Sequence, residues 1–262
     1  MQRHLPRFFG VAAPIDGVSP DSNVAVVIWS CDSRRDILKR VLPSVFKFWP
    51  DCPYPIYVGL NSKYWIAPNV TTLVAPLSEW RTECSVQLAQ ISETHLIMLL
   101  DDFLFRKSVN QANISLIVDK AKRLNLPYLR LVPLAKSLLH RLFDRCRSRS
   151  SASFDSMKEN HSFYSSMEIA FWSKAHFLTL LELPGSIWDF EHQKQSGVAH
   201  YAVTGSAPIV YTHLVEKGRW LPYASTLLKQ AGLSSELGTR GVYPNGASVR
   251  LWFATARTFI FR

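Results

Sequence analysis

The run LIMLLDDFLF at residues 96–105 constrains the fold of this chain more than any other stretch of its sequence. Its first five residues are apolar, as in a buried strand, and they end abruptly at Asp101 and Asp102. Ligands of open α/β sheets bind at the carboxyl ends of strands. Because adjacent carboxylates repel each other, the pair suggests a divalent metal that holds a phosphate-bearing substrate. The alternative is that one Asp caps the next helix and the other faces water.

Strand and helix patterns alternate through the first half of the chain. The near-continuous apolar run at residues 23–32 is typical of a strand buried in a parallel sheet, and apolar residues then recur at helical spacing from Ile37 to Phe46. Further strands are predicted at residues 55–61, 70–76, 127–133 and 207–215, and further helices at 83–92, 114–124 and 174–181. The alternation predicts an α/β fold with a mostly parallel, Rossmann-type central sheet flanked by helices.

Changes in composition divide the chain into five segments. Residues 1–22 form a lead-in, 23–135 the first half of the α/β domain, and 163–247 the second half of the same domain. Between the halves, residues 136–162 are basic and rich in serine, which predicts a flexible loop that acts as a lid or is a solvated insertion. Residues 248–262 form a basic, aromatic tail.

Composition and charge narrow the class of protein. At 262 residues and 47% hydrophobic content, the chain is long enough for one large α/β domain. The excess of 30 Lys and Arg over 20 Asp and Glu favours polyanionic partners such as nucleic acid, an anionic membrane surface or phosphorylated small molecules. The sequence contains no apolar run long enough to span a membrane, and prolines interrupt the apolar patch near the start, which argues against a signal peptide. Widely spaced cysteines predict reduced thiols in a cytoplasmic protein.

Four stretches in this order carry a family resemblance: VVIWSCD at the end of the first strand, MLLDDFLF, SIWDFE and THLVEKGRW. Together they resemble the GT-A type nucleotide-sugar glycosyltransferases, in particular the small bacterial enzymes that build surface polysaccharides. The resemblance covers residues 23–220. It implies a GT-A-like fold, a UDP- or GDP-linked sugar donor, and a glycan or lipid-linked acceptor. The family usually has Asp-any-Asp as its carboxylate motif, whereas Phe103 stands at the third place here.

The resemblance also implies a metal site. Asp102 and His213 match the positions that hold Mn²⁺ or Mg²⁺ in the family, and Asp101 is expected to reach the ribose hydroxyls or the metal through water. A divalent cation suits the reaction because the donor leaves as a diphosphate whose charge must be neutralised. The alternative for His213 is an ordinary half-buried strand histidine.

Three further residues are expected at the donor. Asp32, at the end of the first strand, matches a position that contacts the base or ribose in similar enzymes, although it also suits a helix cap. Lys217 and Arg219 flank Gly218 in a loop that the resemblance places over the diphosphate. Their alternative is a plain surface turn.

The segment SIWDFE provides the candidate base and part of the acceptor pocket. An inverting transferase needs a carboxylate that takes the proton from the acceptor hydroxyl. The resemblance favours Glu191 for this role, with Asp189 as the second candidate. Glu168, Trp172 and Trp188 are expected to line the acceptor pocket, since sugars stack on aromatic faces.

The tail at residues 248–262 mixes arginines with aromatic residues, as in a helix at a lipid headgroup boundary. A cytoplasmic protein held at the inner membrane by this tail would suit a lipid-linked acceptor, and the alternative is a terminal element docked on the domain.

Two other functions stay open. A nucleotidyltransferase would use similar carboxylates, but a Gly-rich phosphate loop is missing from the sequence. A non-catalytic nucleic-acid-binding protein would suit the charge of +10, but the basic residues do not form one stripe.

Overall fold

The computed structural model describes residues 23–62, 69–134, 153–161 and 163–244. The predicted lead-in, residues 136–152 of the basic loop, and the aromatic tail lie outside these described residues.

The described residues form helices and strands that alternate through the first half of the chain, as the sequence predicts. The helices are α1 Arg35–Phe48, α2 Trp80–Leu88, α3 Gln111–Arg123, α4 Lys174–Leu181, α5 Ile187–Phe190 and α6 Ala224–Gln230, and a 3₁₀ helix spans Asp32–Arg34. The strands are β1 Val24–Trp29, β2 Ile56–Leu60, β3 Val70–Val74, β4 His95–Leu100, β5 Phe103–Phe105, β6 Tyr128–Arg130, β7 Phe154–Ser156, β8 Ala170–Ser173, β9 Tyr201–Val203, β10 Tyr211–His213, β11 Val215–Glu216 and β12 Arg219–Trp220.

Eight of these strands form one mixed, mostly parallel sheet in the order β3-β2-β1-β4-β8-β6-β9-β7. Strand β1 is central and runs parallel to β2 and β4, while β8 lies antiparallel between β4 and β6. The predicted α/β class with a Rossmann-like sheet is thus confirmed.

The continuous apolar runs of β1 and β4 reflect burial on both faces of the sheet. All six residues of β1 are buried, and alternate residues belong to different core clusters. Val26 and Ile97 pack in the cluster with α1 and α3, whereas Val27 and Met98 pack in the cluster with α2 and α4. Helices therefore cover both faces, which is why these strands lack the polar alternation of a half-exposed strand.

Two smaller sheets sit beside the main one. Strands β5 and β10 pair antiparallel, and β11 and β12 form a hairpin. The long strand predicted at residues 207–215 is therefore wrong, because the chain turns from β10 into β11. The loop expected at Lys217 is the hairpin turn, in which Lys217 and Gly218 both have positive φ angles, of 45° and 77°. Such a turn matches the twist of the strands it joins.

Other element boundaries also differ from prediction. Residues 154–156, expected in the flexible loop, form β7 at the edge of the main sheet, where they pair with β9. The helix predicted at residues 83–92 begins earlier and ends at Leu88. None of the helices in the described ranges is long and apolar enough to cross a membrane.

Candidate active site

The order of the strands places a switch point between β1 and β4, where a crevice is expected in open α/β sheets. The chain passes from β1 to β2 and β3 on one side, and then crosses to β4 on the other side of β1. In open α/β sheets, ligands bind at such a switch point, outside the carboxyl ends of the strands. Ser30 and the 3₁₀ helix follow β1 at this point, and Asp101 and Asp102 follow β4. The crevice is therefore the first candidate for a binding site.

Asp101 is buried and held by two partners from the segment after β1. Arg34 donates to both carboxylate oxygens, with Nη2 2.6 Å from Oδ1 and Nε 2.8 Å from Oδ2, and Ser30 Oγ donates to Oδ2 at 2.7 Å. Burial raises the pKa of Asp101, while the bonds from Arg34 oppose that rise. Burial alone would lower the pKa of Arg34, but the hydrogen bonds and charge of Asp101 outweigh it and raise that pKa. Both oxygens of Asp101 are thus engaged within the protein, and the side chain of Arg34, 31% exposed, is fixed at the crevice.

Asp102 lies next to His213, as the sequence predicts. Pairing of β5 with β10 sets His213 opposite Phe103, and Asp102 O accepts a hydrogen bond from Leu214 N at 3.1 Å. The side chains meet with His213 Nδ1 3.3 Å from Asp102 Oδ2. The ring of Phe103 is buried and contacts the rings of Tyr211 and His213, at centroid distances of 4.4 Å and 4.7 Å. Phe103, in the place of the family's usual Asp, therefore packs against the histidine and orients it.

Asp102 and His213 offer the ligand types that a divalent cation accepts, a carboxylate oxygen and an imidazole nitrogen. Within the described residues, however, His, Cys, Asp and Glu form no group of three or more that could hold a metal ion. Mg²⁺ is often bound by one or two carboxylates, with waters and substrate phosphates completing its coordination. The pair therefore fits a cation that arrives with a phosphate ligand and does not form a closed structural metal site.

Asp32 links the ends of β1 and β2. Its Oδ2 accepts from Ser62 Oγ at 2.8 Å, and its backbone N donates to Asn61 Oδ1 at 3.2 Å. Asn61 in turn donates to Glu83 Oε2 at 2.8 Å. Helix α1 begins only at Arg35, and its N-cap is Arg34, so Asp32 does not cap it. Asp32 thus stands at the rim of the crevice in a polar network.

Lys217 and Arg219 are exposed on the β11–β12 hairpin. Arg240 fixes the turn against α1, because its Nη1 donates to Gly218 O at 2.9 Å while its Nε and Nη2 each lie 2.8 Å from an oxygen of Asp36. The hydrogen bond from Arg240 lowers the pKa of Asp36. The hairpin turn is therefore held close to the start of α1, on the side where the crevice opens.

Glu191 and Glu168 form a second acidic cluster. Glu191 follows α5, and its Oε1 accepts from Met167 N at 3.0 Å. Burial raises the pKa of Glu191, and the charge of Glu168 adds to that rise. Glu168 forms an ion pair with Arg130, which is 3% exposed in β6. Glu168 therefore contacts a buried cation whose charge also reaches Glu191.

The two clusters adjoin each other. Arg130 is close enough to Tyr211 for that phenol to affect the pKa of the guanidinium. Tyr211 contacts Phe103 and the ring of His213. Ring contacts join Tyr211 to His213, and electrostatic interactions relate Tyr211 to Arg130 and Arg130 to Glu191.

Three predicted site residues stand elsewhere in the structure. Asp189 completes a capping box at the start of α5, where its Oδ2 accepts from Ser186 N and Oγ, both at 2.7 Å, and these bonds lower its pKa. Trp172 is fully buried and packs against Tyr128 at 4.4 Å, so the described structure leaves it no surface to offer an acceptor. This corrects the expectation for Trp172. Trp188 is 68% exposed, one turn from Glu191.

Sequence reasoning missed several charged or polar residues around the crevice. Arg130 interrupts an otherwise apolar strand, and a charge in such a run signals a buried partner. The local sequence does not reveal the roles of Arg34 and Arg240, because their partners, Asp101 and Asp36, are far away along the chain. Tyr223 lies close enough to Asp102 for the charge of that carboxylate to raise the pKa of the phenol, after the larger effect of burial.

Comparison with models of protein families and with curated proteins found no match to this chain.

Proposed function

We propose that this protein is a metal-dependent, GT-A type glycosyltransferase that moves a sugar from a nucleotide-sugar donor to a hydroxyl of a glycan or lipid-linked acceptor. The observation that carries the proposal is the pairing of Asp102 with His213 beside the switch point of the sheet, with the Arg130–Glu168 ion pair and Glu191 within electrostatic range of Tyr211 and of one another. One side offers metal and phosphate ligands, and the other offers carboxylates for proton transfer.

The donor side uses the crevice between β1 and β4. Asp102 and His213 bind Mn²⁺ or Mg²⁺ together with the diphosphate of a UDP- or GDP-linked sugar. When bound, the cation neutralises charge on the departing diphosphate. Arg34 is a fixed guanidinium at the same crevice, and the exposed Lys217 and Arg219 add positive charge from the hairpin. Asp32, which follows β1, contacts the ribose or base together with Asn61 and Ser62, which follow β2.

The acceptor side uses Glu191 as general base. The acceptor oxygen attacks the anomeric carbon and forms the new glycosidic bond, while its proton passes to the Glu191 carboxylate. The bond between the anomeric carbon and the diphosphate oxygen breaks, and its electron pair leaves with the diphosphate. Attack from the opposite face inverts the anomeric centre. A raised pKa brings a carboxylate closer to the range in which it accepts a proton effectively at neutral pH.

The setting in the cell follows from the same resemblance. A role in bacterial surface polysaccharide synthesis accords with a cytoplasmic protein that contacts the inner membrane through residues 248–262. The net charge of +10 favours both an anionic membrane surface and a phosphorylated donor.

Thermal unfolding with nucleotide and Mn²⁺ tests the donor site. UDP or GDP at about a hundred times its Kd is expected to raise the Tm by about 5 to 10 °C, only when Mn²⁺ is present. Asp102→Ala and His213→Gln each remove one ligand and are expected to abolish the shift. Asp119→Ala removes an exposed carboxylate on α3 and serves as the matched control.

A shift that is independent of Mn²⁺, or that persists in Asp102→Ala, would contradict the donor site. A panel of nucleotide sugars, scored for metal-dependent hydrolysis, then identifies the sugar and nucleotide. Turnover of nucleoside triphosphates in place of nucleotide sugars would instead favour a nucleotidyltransferase.

A further inference from the structure

Arg130 is an unusual residue for its position in the sheet. It belongs to β6, between β8 and β9, and only 3% of its surface is exposed. Its Nη2 forms the ion pair with Glu168, yet its buried Nε has no hydrogen-bond acceptor among the described residues. A buried donor without an acceptor carries a desolvation penalty, so stability alone does not account for this pair. The charged groups near it point to a task at the neighbouring site.

The charges around Glu191 explain what that task is. Arg130 and Tyr128 face it from β6, Glu168 faces it from the chain before β8, and His192 follows it in sequence. The Arg130 guanidinium thus forms an ion pair with one carboxylate and lies within electrostatic range of a second. Glu168 forms the ion pair with Arg130, whereas Glu191 accepts a hydrogen bond from the uncharged backbone N–H of Met167. When two carboxylates lie near one cation, the carboxylate that forms the ion pair stays ionised. The pKa of the other carboxylate is higher, so it binds a proton more readily.

We propose that Arg130 is a positioning residue for the transfer reaction: it keeps Glu168 as its ionic partner and so leaves Glu191 as the carboxylate that accepts the acceptor proton. This inference rests on the proposed function for its catalytic meaning, although the division of charge is a property of the free protein.

Changes on either side of the ion pair have opposite effects on Glu191. In Arg130→Gln the two carboxylates lose their cation, so the pKa of Glu191 rises. In Glu168→Gln the repelling charge disappears and Arg130 faces Glu191 alone, so that pKa falls. Arg130→Lys keeps the charge and is expected to hold the pKa near its original position. An ion pair without electrostatic influence on Glu191 would give none of this pattern.

Titration of the Glu191 carboxyl by carbon NMR measures the effect without donor or acceptor. Glutamate labelled at its side-chain carboxyl carbon provides the signal, and Glu191→Gln assigns it. The midpoint is expected to rise in Arg130→Gln and to fall in Glu168→Gln. Arg123→Gln, an equal loss of charge from the exposed surface of α3, is expected to leave it unchanged. If Arg130→Gln does not fold, Glu168→Gln and Arg130→Lys still decide the result.

Glycosyl transfer provides the second readout. With an active donor, the acid limb of the pH profile of kcat/KM is expected to move with the NMR midpoint in each variant. A protein that transfers sugar, but whose Glu191 midpoint ignores both substitutions, overturns the inference and leaves the proposed function standing. Opposite shifts without transfer of any sugar leave the control of Glu191 by Arg130 standing and remove the proposed function.

Discussion

Mild acid is expected to destabilise the fold through one pair of buried histidines, His176 and His200. Their Nε2 atoms lie 2.8 Å apart, so one ring must donate and the other accept, and two protonated rings do not fit this contact. His200 is fully buried between aromatic rings, and its Nδ1 lies 2.9 Å from Tyr164 O. Protonation of both histidines therefore requires the contact to break.

The magnitude follows from the shifted pKa. Burial lowers the pKa of His200 from 6.5 to about 4, the charge of His176 adds to the effect, and the bond to Tyr164 opposes it. On acidification, His200 binds a proton at a higher pH in the unfolded chain than in the folded protein. The stability that the folded protein gains from neutral His200 is therefore fully present above about pH 6.5 and is lost as the pH falls toward about 4. Linkage gives a loss of roughly 2 kcal/mol at about pH 5 and roughly 3 kcal/mol at lower pH. Burial lowers the pKa of His176 as well, which adds in the same direction.

Urea unfolding at about pH 7 and about pH 5 measures this loss, since carboxylates still contribute little over that interval. His200→Gln removes the proton site and is expected to reduce the difference between the two free energies of unfolding to a small remainder. His192→Gln removes an exposed histidine and is expected to keep the full difference. The reasoning is refuted if His200→Gln loses as much stability on acidification as the unchanged protein.

Two substitutions in the candidate site complete the set. Phe103→Asp creates the Asp-any-Asp motif of the enzymes that the sequence resembles, but it replaces a 1% exposed ring that contacts Tyr211 and His213. It is therefore expected to lower the free energy of unfolding by about 3 kcal/mol or more; an unchanged Tm would contradict this. Glu191→Gln is expected to reduce turnover by about a hundredfold or more while the metal-dependent nucleotide shift persists, and full activity would rule out Glu191 as the base.

The parts of the fold that follow from the sequence are those fixed by local pattern. Strands β1 and β4 were predictable because burial on both faces demands continuous apolar runs. The edge strand β7 was not, since residues 154–156 are half-exposed or exposed and gain their structure from pairing with β9. Likewise, the sequence alone did not separate Trp172, which is fully buried, from Trp188, which is 68% exposed.

In the candidate site too, some features were predictable from the sequence and others were not. The position of Asp102 beside His213 was predictable from the resemblance, because both residues follow recognisable motifs. The bond between Arg34 and Asp101 joins residues that are 67 positions apart, and local pattern carries no information about such pairs. Arg130 and Glu168 are similarly distant, at 38 positions. Long-range ion pairs therefore account for most of what the sequence left unknown.

The adjacent carboxylates that first suggested a metal have separate partners in the folded protein. Asp101 and Asp102 form the turn between β4 and β5, where their side chains meet different partners. Asp101 turns to Arg34 and Ser30, while Asp102 turns to His213. The mutual repulsion of the two is thus offset in part by a guanidinium of this chain, so adjacency by itself does not require a metal ion. The argument for a metal rests instead on Asp102 with His213, and on a substrate whose phosphates complete the coordination.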